Sequence, residues 1–149
     1  MTMKTQTAAT VTLWANRLVF LAMIAAAILL QVILDWYSGF RVLVPIERWG
    51  ITAGFYCCVP VASIGLWDLE RILRNILAKE VLVRENVQRA SRVRWCCGIV
   101  ALICVPVTVC YLPLIFVTII MAFLCLVLSV VVCAMDAAVT IREENDLTI

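Results

Sequence analysis

The chain has 149 residues, of which 65% are hydrophobic and 15% charged, with a mean hydropathy of +1.08. Soluble domains run about half apolar and about a quarter charged, so this composition excludes an ordinary water-soluble domain and points to one small membrane unit. The net charge of +2 is uninformative as a total, but the absence of histidine removes the commonest general base and the commonest metal ligand.

The first apolar run, 18–34, carries no charge and one amide, Gln31. At about 1.5 Å per residue it covers about 25 Å, enough for a first transmembrane helix. Ala25, Ala26 and Ala27 imitate a signal-peptide cleavage site, yet Ile28-Leu29-Leu30 carries the apolar run past them, so a retained span is expected. The second run, 51–67, contains Gly54, Pro60 and Gly65, which membrane helices tolerate, with a kink expected at Pro60.

Residues 95–135 are free of charge over 41 positions. As a single helix they would extend about 60 Å, twice the membrane thickness, so the segment must fold back. Tyr111-Leu112-Pro113 is the best turn, because proline disfavours helix in the residue before it. Spans are therefore expected near 95–112 and 114–135. The expected fold is an all-α membrane protein of four transmembrane helices, with a cytoplasmic helical hairpin at 68–94 between helices two and three and a cytoplasmic tail at 136–149.

Orientation follows from the basic residues. The 68–94 segment holds Arg71, Arg74, Lys79, Arg84, Arg89, Arg92 and Arg94, while the 111–113 turn holds none. Only a topology with both termini inside puts this segment in the cytoplasm. Trp14, Trp36, Tyr37, Trp49, Trp67 and Trp95 all fall at span edges, where aromatic belts form.

Within the hairpin, Leu69, Ile72, Leu73, Ile76 and Leu77 recur at helical spacing and predict an amphipathic helix over 68–80. Val81-Leu82-Val83 breaks the period, and Asn86 is placed to N-cap a second helix leading into span three. The apolar stripe suits either the membrane surface or its neighbour helix, with basic residues toward anionic head groups, or else a soluble partner. The segment's four acids and its lack of interleaved aromatics argue against nucleic acid.

The tail reads Arg142-Glu143-Glu144-Asn145-Asp146-Leu147-Thr148-Ile149. It is acidic where the hairpin is basic, and acids sit poorly at a helix C-terminus. Asn145 is expected to end the helix in a left-handed conformation, after which Leu147 and Ile149 share a face. A solvated end, a latch onto the hairpin and a short motif read by a partner are all compatible with this pattern.

The ending Glu143 to Ile149, together with Glu85-Asn86-Val87 and Arg89 before span three, resembles domain-of-unknown-function family 2975, a bacterial family of small four-helix inner-membrane proteins. Its members often carry a Pro-Phe pair before the Glu-Asn-Val, where this chain has Leu82-Val83 nearby. The resemblance implies residence in the bacterial inner membrane and a pairing with a small helix-turn-helix regulator. It supplies no catalytic residue. The partner-binding candidates are then Arg84, Glu85, Asn86, Arg89 and Arg92 on the hairpin, with Glu143, Glu144, Asn145, Asp146, Leu147 and Ile149 on the tail.

Eight cysteines are present, none as Cys-x-x-Cys, and they are expected to serve as small packing residues. No cofactor or metal is expected. Mid-membrane polar groups are limited to uncharged residues such as Gln31, Ser63, Thr108 and Thr118. Arg17, Asp68 and Asp136 are expected to mark where water begins rather than to form a buried cluster. The expected function is a non-enzymatic membrane regulator or anchor for a soluble cytoplasmic partner. The alternative is a small channel, transporter or immunity-type protein, which the lack of mid-membrane charge disfavours for ions. A homo-oligomer is compatible with either.

Overall fold

The structure is a computed structural model that describes residues 3–39, 44–78 and 83–146. Four long helices follow one another: α1 (Met3–Ser38), α2 (Pro45–Leu77), α3 (Arg84–Cys110) and α4 (Ile115–Asp146), with a single 3-10 turn, Leu112–Leu114, between the last two. All four are long and apolar enough to cross a membrane. The chain is a multi-pass, all-α membrane protein. The expected turn at 111–113 is present: Tyr111 leaves the helix with φ −138° and ψ 95°, and Pro113 lies inside the 3-10 turn.

The helices pair only in sequence order. Among the described residues α1 approaches α2, α2 approaches α3, α3 approaches α4, and no backbone contact joins α1 to α4. Each pair is antiparallel, so the N-terminus of α1, the α2–α3 connection and the end of α4 gather at one end. The Asn16–Leu66, Arg17–Glu70 and Arg84–Asp136 contacts fix that arrangement.

Small residues set the closest approach. A Cβ on Gly54 would lie 2.6 Å from Val107 Cγ2, and one on Gly65 would lie 3.4 Å from Cys96 Cβ. Without a hydrophobic drive between helices in lipid, close backbone packing of this kind holds spans together. Further along the same seam Asp68 faces Arg92 and Asn75 is bonded to Asn86. These four pairings keep one antiparallel register to within a residue. Cysteines take part in this packing: Cys58 of α2 and Cys104 of α3 line one cavity along the seam, and Gly98 of α3 meets Cys125 of α4.

The α1 stripe tells the same story. Ala9, Leu13, Asn16, Leu30 and Leu34 are buried, at the alternating four- and three-residue spacing of a coiled-coil seam that Phe20, Met23 and Ala27 fill in. The opposite faces expose apolar residues such as Leu18, Leu21, Ile28, Phe116, Ile120 and Leu126, as lipid contact requires.

Two aromatic levels bound the apolar slab. Trp14, Trp67 and Trp95 lie at the end that carries the charges, and Trp36, Tyr37, Trp49 and Tyr111 at the other. The separation along the helices is about 33 Å on α1, about 27 Å on α2 and about 24 Å on α3, against a hydrocarbon thickness of about 30 Å. At the far level the Tyr37 and Tyr111 hydroxyls are 2.8 Å apart, and Arg48 donates to Asp35 at 2.7 Å and to Gln31 at 3.2 Å.

The amphipathic segment after Trp67 is the continuation of α2, which runs unbroken to Leu77, and of the placements open to its apolar stripe the structure shows packing on neighbouring helices, with Leu73 buried. Lys79, Glu80, Val81 and Leu82 lie outside the described residues. Pro60 and Pro106 both sit within continuous helices.

Candidate functional site

All four helices run beyond the Trp14–Trp67–Trp95 level. Residues 3–13, 68–77, 84–94 and 136–146 each add about 15 Å of helix past it. Together they form a charged projection, and it holds every hairpin and tail residue that the sequence singled out and the structure describes. Three ionic clusters organise it.

The central one is the most buried. Asp68 on α2 has a side chain only 4% exposed; its Oδ1 accepts a hydrogen bond from Arg89 at 3.3 Å and is ion-paired with Arg92 at 3.1 Å. Arg89, itself 15% exposed, also donates to Glu85 one turn earlier on α3. That hydrogen bond, and the Arg89 charge behind it, hold the Glu85 carboxyl below its usual range; the same bond, with the negative charge of Glu85, raises the Arg89 guanidinium. Asp68 Oδ2 and Arg89 Nε are buried without a hydrogen-bond partner. A carboxylate this deep costs several kcal/mol to desolvate, roughly offset by two guanidinium partners.

The second cluster ties α1 to α2. Arg17 donates through Nε at 3.2 Å and through a terminal nitrogen at 3.1 Å to Glu70, which also accepts from Arg74 at 2.7 Å. The Arg74 bond, ahead of the Arg17 bond, holds the Glu70 carboxyl low. Beside it the buried Asn16 donates to the Leu66 carbonyl at 3.1 Å. The third cluster ties α3 to α4. Arg84 bridges two acids on one face of α4, Asp136 at 3.0 Å and Glu143 at 2.7 Å. Between them Val139 is 2% exposed.

Arg17, Asp68 and Asp136 therefore do more than mark the water line. Each belongs to a different interhelical cluster; a shared one does not form. Asn86 is corrected as well: Val83 precedes the helix without a side-chain cap, and Asn86, the third helical residue, is 0% exposed and accepts from Asn75 Nδ2 at 2.7 Å. Asn145 does not end α4, which continues through Asp146. Leu147 and Ile149 lie outside the described residues.

The sequence candidates thus divide. Asn86 and Arg89 are committed inside the projection, and their burial leaves them little surface to offer a partner. Arg84, Glu85, Arg92, Glu143 and Glu144 are exposed. Glu143 contacts the hairpin through Arg84, so the acidic tail and the basic hairpin meet at that point. Asp68, Glu70, Arg74 and Asn75 were not singled out as site residues. The signal for Asp68 was its place on the heptad seam that starts at Gly54.

Three arginines at the inner edge of the projection stack on tryptophans: Arg17 over Trp14 at 5.8 Å, Arg71 over Trp67 at 5.7 Å and Arg94 over Trp95 at 5.7 Å from guanidinium carbon to ring centroid. Such pairs suit the level where hydrocarbon gives way to head groups. Compared with protein-family models, curated proteins and solved structures, the chain matches none of them.

Proposed function

We propose that the protein is a non-enzymatic anchor or regulator of the bacterial inner membrane that presents its charged projection to a soluble cytoplasmic partner. One observation carries the reading. The four helices do not stop at the lipid boundary; they continue about 15 Å beyond it as one packed, ion-paired body. A body of that kind offers a shaped surface, with Arg84, Glu85, Arg92, Glu143 and Glu144 outward and Asp68, Arg89 and Asn86 fixing it from within. The basic content of the projection supports a cytoplasmic placement. A small helix-turn-helix regulator is the partner class suggested by the family resemblance, and its sequestration at the membrane would lower its free concentration by mass action.

The test is a cross-linked pull-down from the native host, comparing the full chain with one lacking 142–149 at matched membrane levels. Capture of a soluble DNA-binding protein by the full chain alone makes the tail the contact. Equal capture moves the contact to the hairpin, and R84E with R92E then abolishes it. Absence of any soluble partner in both forms removes the anchor reading.

A further inference from the structure

We propose that the groove between α3 and α4 at the tryptophan level binds the phosphate head group of an anionic phospholipid, with Arg94 as its principal ligand. The groove has a volume of about 360 Å³ and is lined by Arg84, Gln88, Ser91, Arg94, Ser129 and Asp136 over an apolar floor that includes Val87 and Val132.

Charge complementarity selects an anion. Arg84 is shared between Asp136 and Glu143 and is not free for a ligand. Arg94 has no carboxylate within ion-pair distance among the described residues. Its guanidinium is held over Trp95 and donates to Ser91 Oγ at 3.3 Å. Arg94 is therefore the one guanidinium lining the groove without an acid within ion-pair distance among the described residues, pre-oriented by a ring and a hydroxyl. Ser129 donates its own proton to the Cys125 carbonyl at 2.8 Å, and the Gln88 amide is exposed at the rim.

Depth selects a lipid over a free anion. Trp95 places Arg94 at the head-group level. Below the groove the outer faces of α3 and α4 are exposed and apolar through Ile99, Leu102, Leu126 and Val130, where acyl chains would lie. Arg71 provides an internal control. It stands on a tryptophan at the same level without a carboxylate within ion-pair distance among the described residues, but the pocket beside it, about 60 Å³, is walled by α2 residues.

The experiment is native mass spectrometry of the purified full chain in detergent, titrated with phosphatidylglycerol, with phosphatidylcholine and with inorganic phosphate. The expected result is preferential retention of phosphatidylglycerol, weakened about tenfold by R94Q, the scale of one lost charge-assisted hydrogen bond. Arg71→Gln is expected to leave it unchanged. Ser91→Leu fills the groove without altering charge and is expected to lower retention as R94Q does; thermal unfolding of each variant confirms that it is folded. Equal retention of both lipids, equal loss in R71Q and R94Q, or no loss in folded R94Q or S91L overturns the proposal. Displacement of the lipid by millimolar inorganic phosphate overturns the lipid assignment.

Discussion

Asp68 is the residue on which most of the projection depends. It is the first charge after a 19-residue run without one, and it faces two arginines of α3 from a position almost closed to solvent. Removing one partner of a buried pair leaves the other charge uncompensated, so D68N is expected to lower stability by about 3 kcal/mol, read as a lower midpoint of thermal unfolding in detergent. Gly54 tests packing inside the slab. G54A brings a Cβ against Val107 and is expected to cost about 1–3 kcal/mol, with V107A in the same chain restoring much of it. The sequence showed Asp68 and Gly54 only as a span-end charge and a tolerated glycine. Their roles depend on which α3 residue faces each, and that register is a tertiary fact. Asn86 failed as a cap for a related reason: a polar residue near a helix start is a good cap until another helix offers it a partner, and Asn75 does.

At the level of elements, the charge-free runs located the four long apolar helices, because the composition of a lipid-crossing segment is dictated by the solvent it meets. The helix ends beyond the lipid were less legible. An apolar stripe flanked by arginines reads the same whether it lies flat on head groups or stands against neighbouring helices, and only the antiparallel partner α3 distinguishes the two. The last part of α4 is held differently from the rest. Beyond Val139 the exposed Arg84–Glu143 pair ties α4 to its neighbour, and exposed pairs contribute about 0–1 kcal/mol. R84A is therefore expected to leave the unfolding midpoint nearly unchanged while speeding amide exchange in 140–146 severalfold, measured by hydrogen–deuterium exchange. The α1 anchor has a pH signature. Glu70 is held below its ordinary value, so its contribution is complete above the normal carboxylate range and is lost as pH falls through the depressed value. Protection of the amides in 7–16, relative to the intrinsic exchange rate at each pH, is expected to stay constant down to about pH 5 and to fall below about pH 4.

For the whole molecule, the two aromatic levels give a membrane placement that can be checked directly. In a cysteine-free variant, a single cysteine introduced at Gln88 is expected to resist an impermeant maleimide added to intact cells, and one at Val44 to react. The opposite pattern inverts the proposed topology and moves the projection to the far side of the membrane. Architecture also separates what is held from what is free. The α2–α3 pair shares small-residue packing within the slab and buried polar pairs beyond it, whereas α1 and α4 each pack on one neighbour only.

The seam between α2 and α3 has no break where it passes the tryptophan level: its register runs from Gly54–Val107, near the far aromatic level, to the buried Asn75–Asn86 pair beyond the tryptophans. A pair built that way behaves as a single lever pivoting at the lipid boundary. Helices longer than the hydrocarbon layer answer a change in bilayer thickness by tilting. An arm of about 15 Å tilted by about 10° sweeps its tip sideways by about 3 Å, so the state of the lipid is written mechanically into the position of the water-facing end.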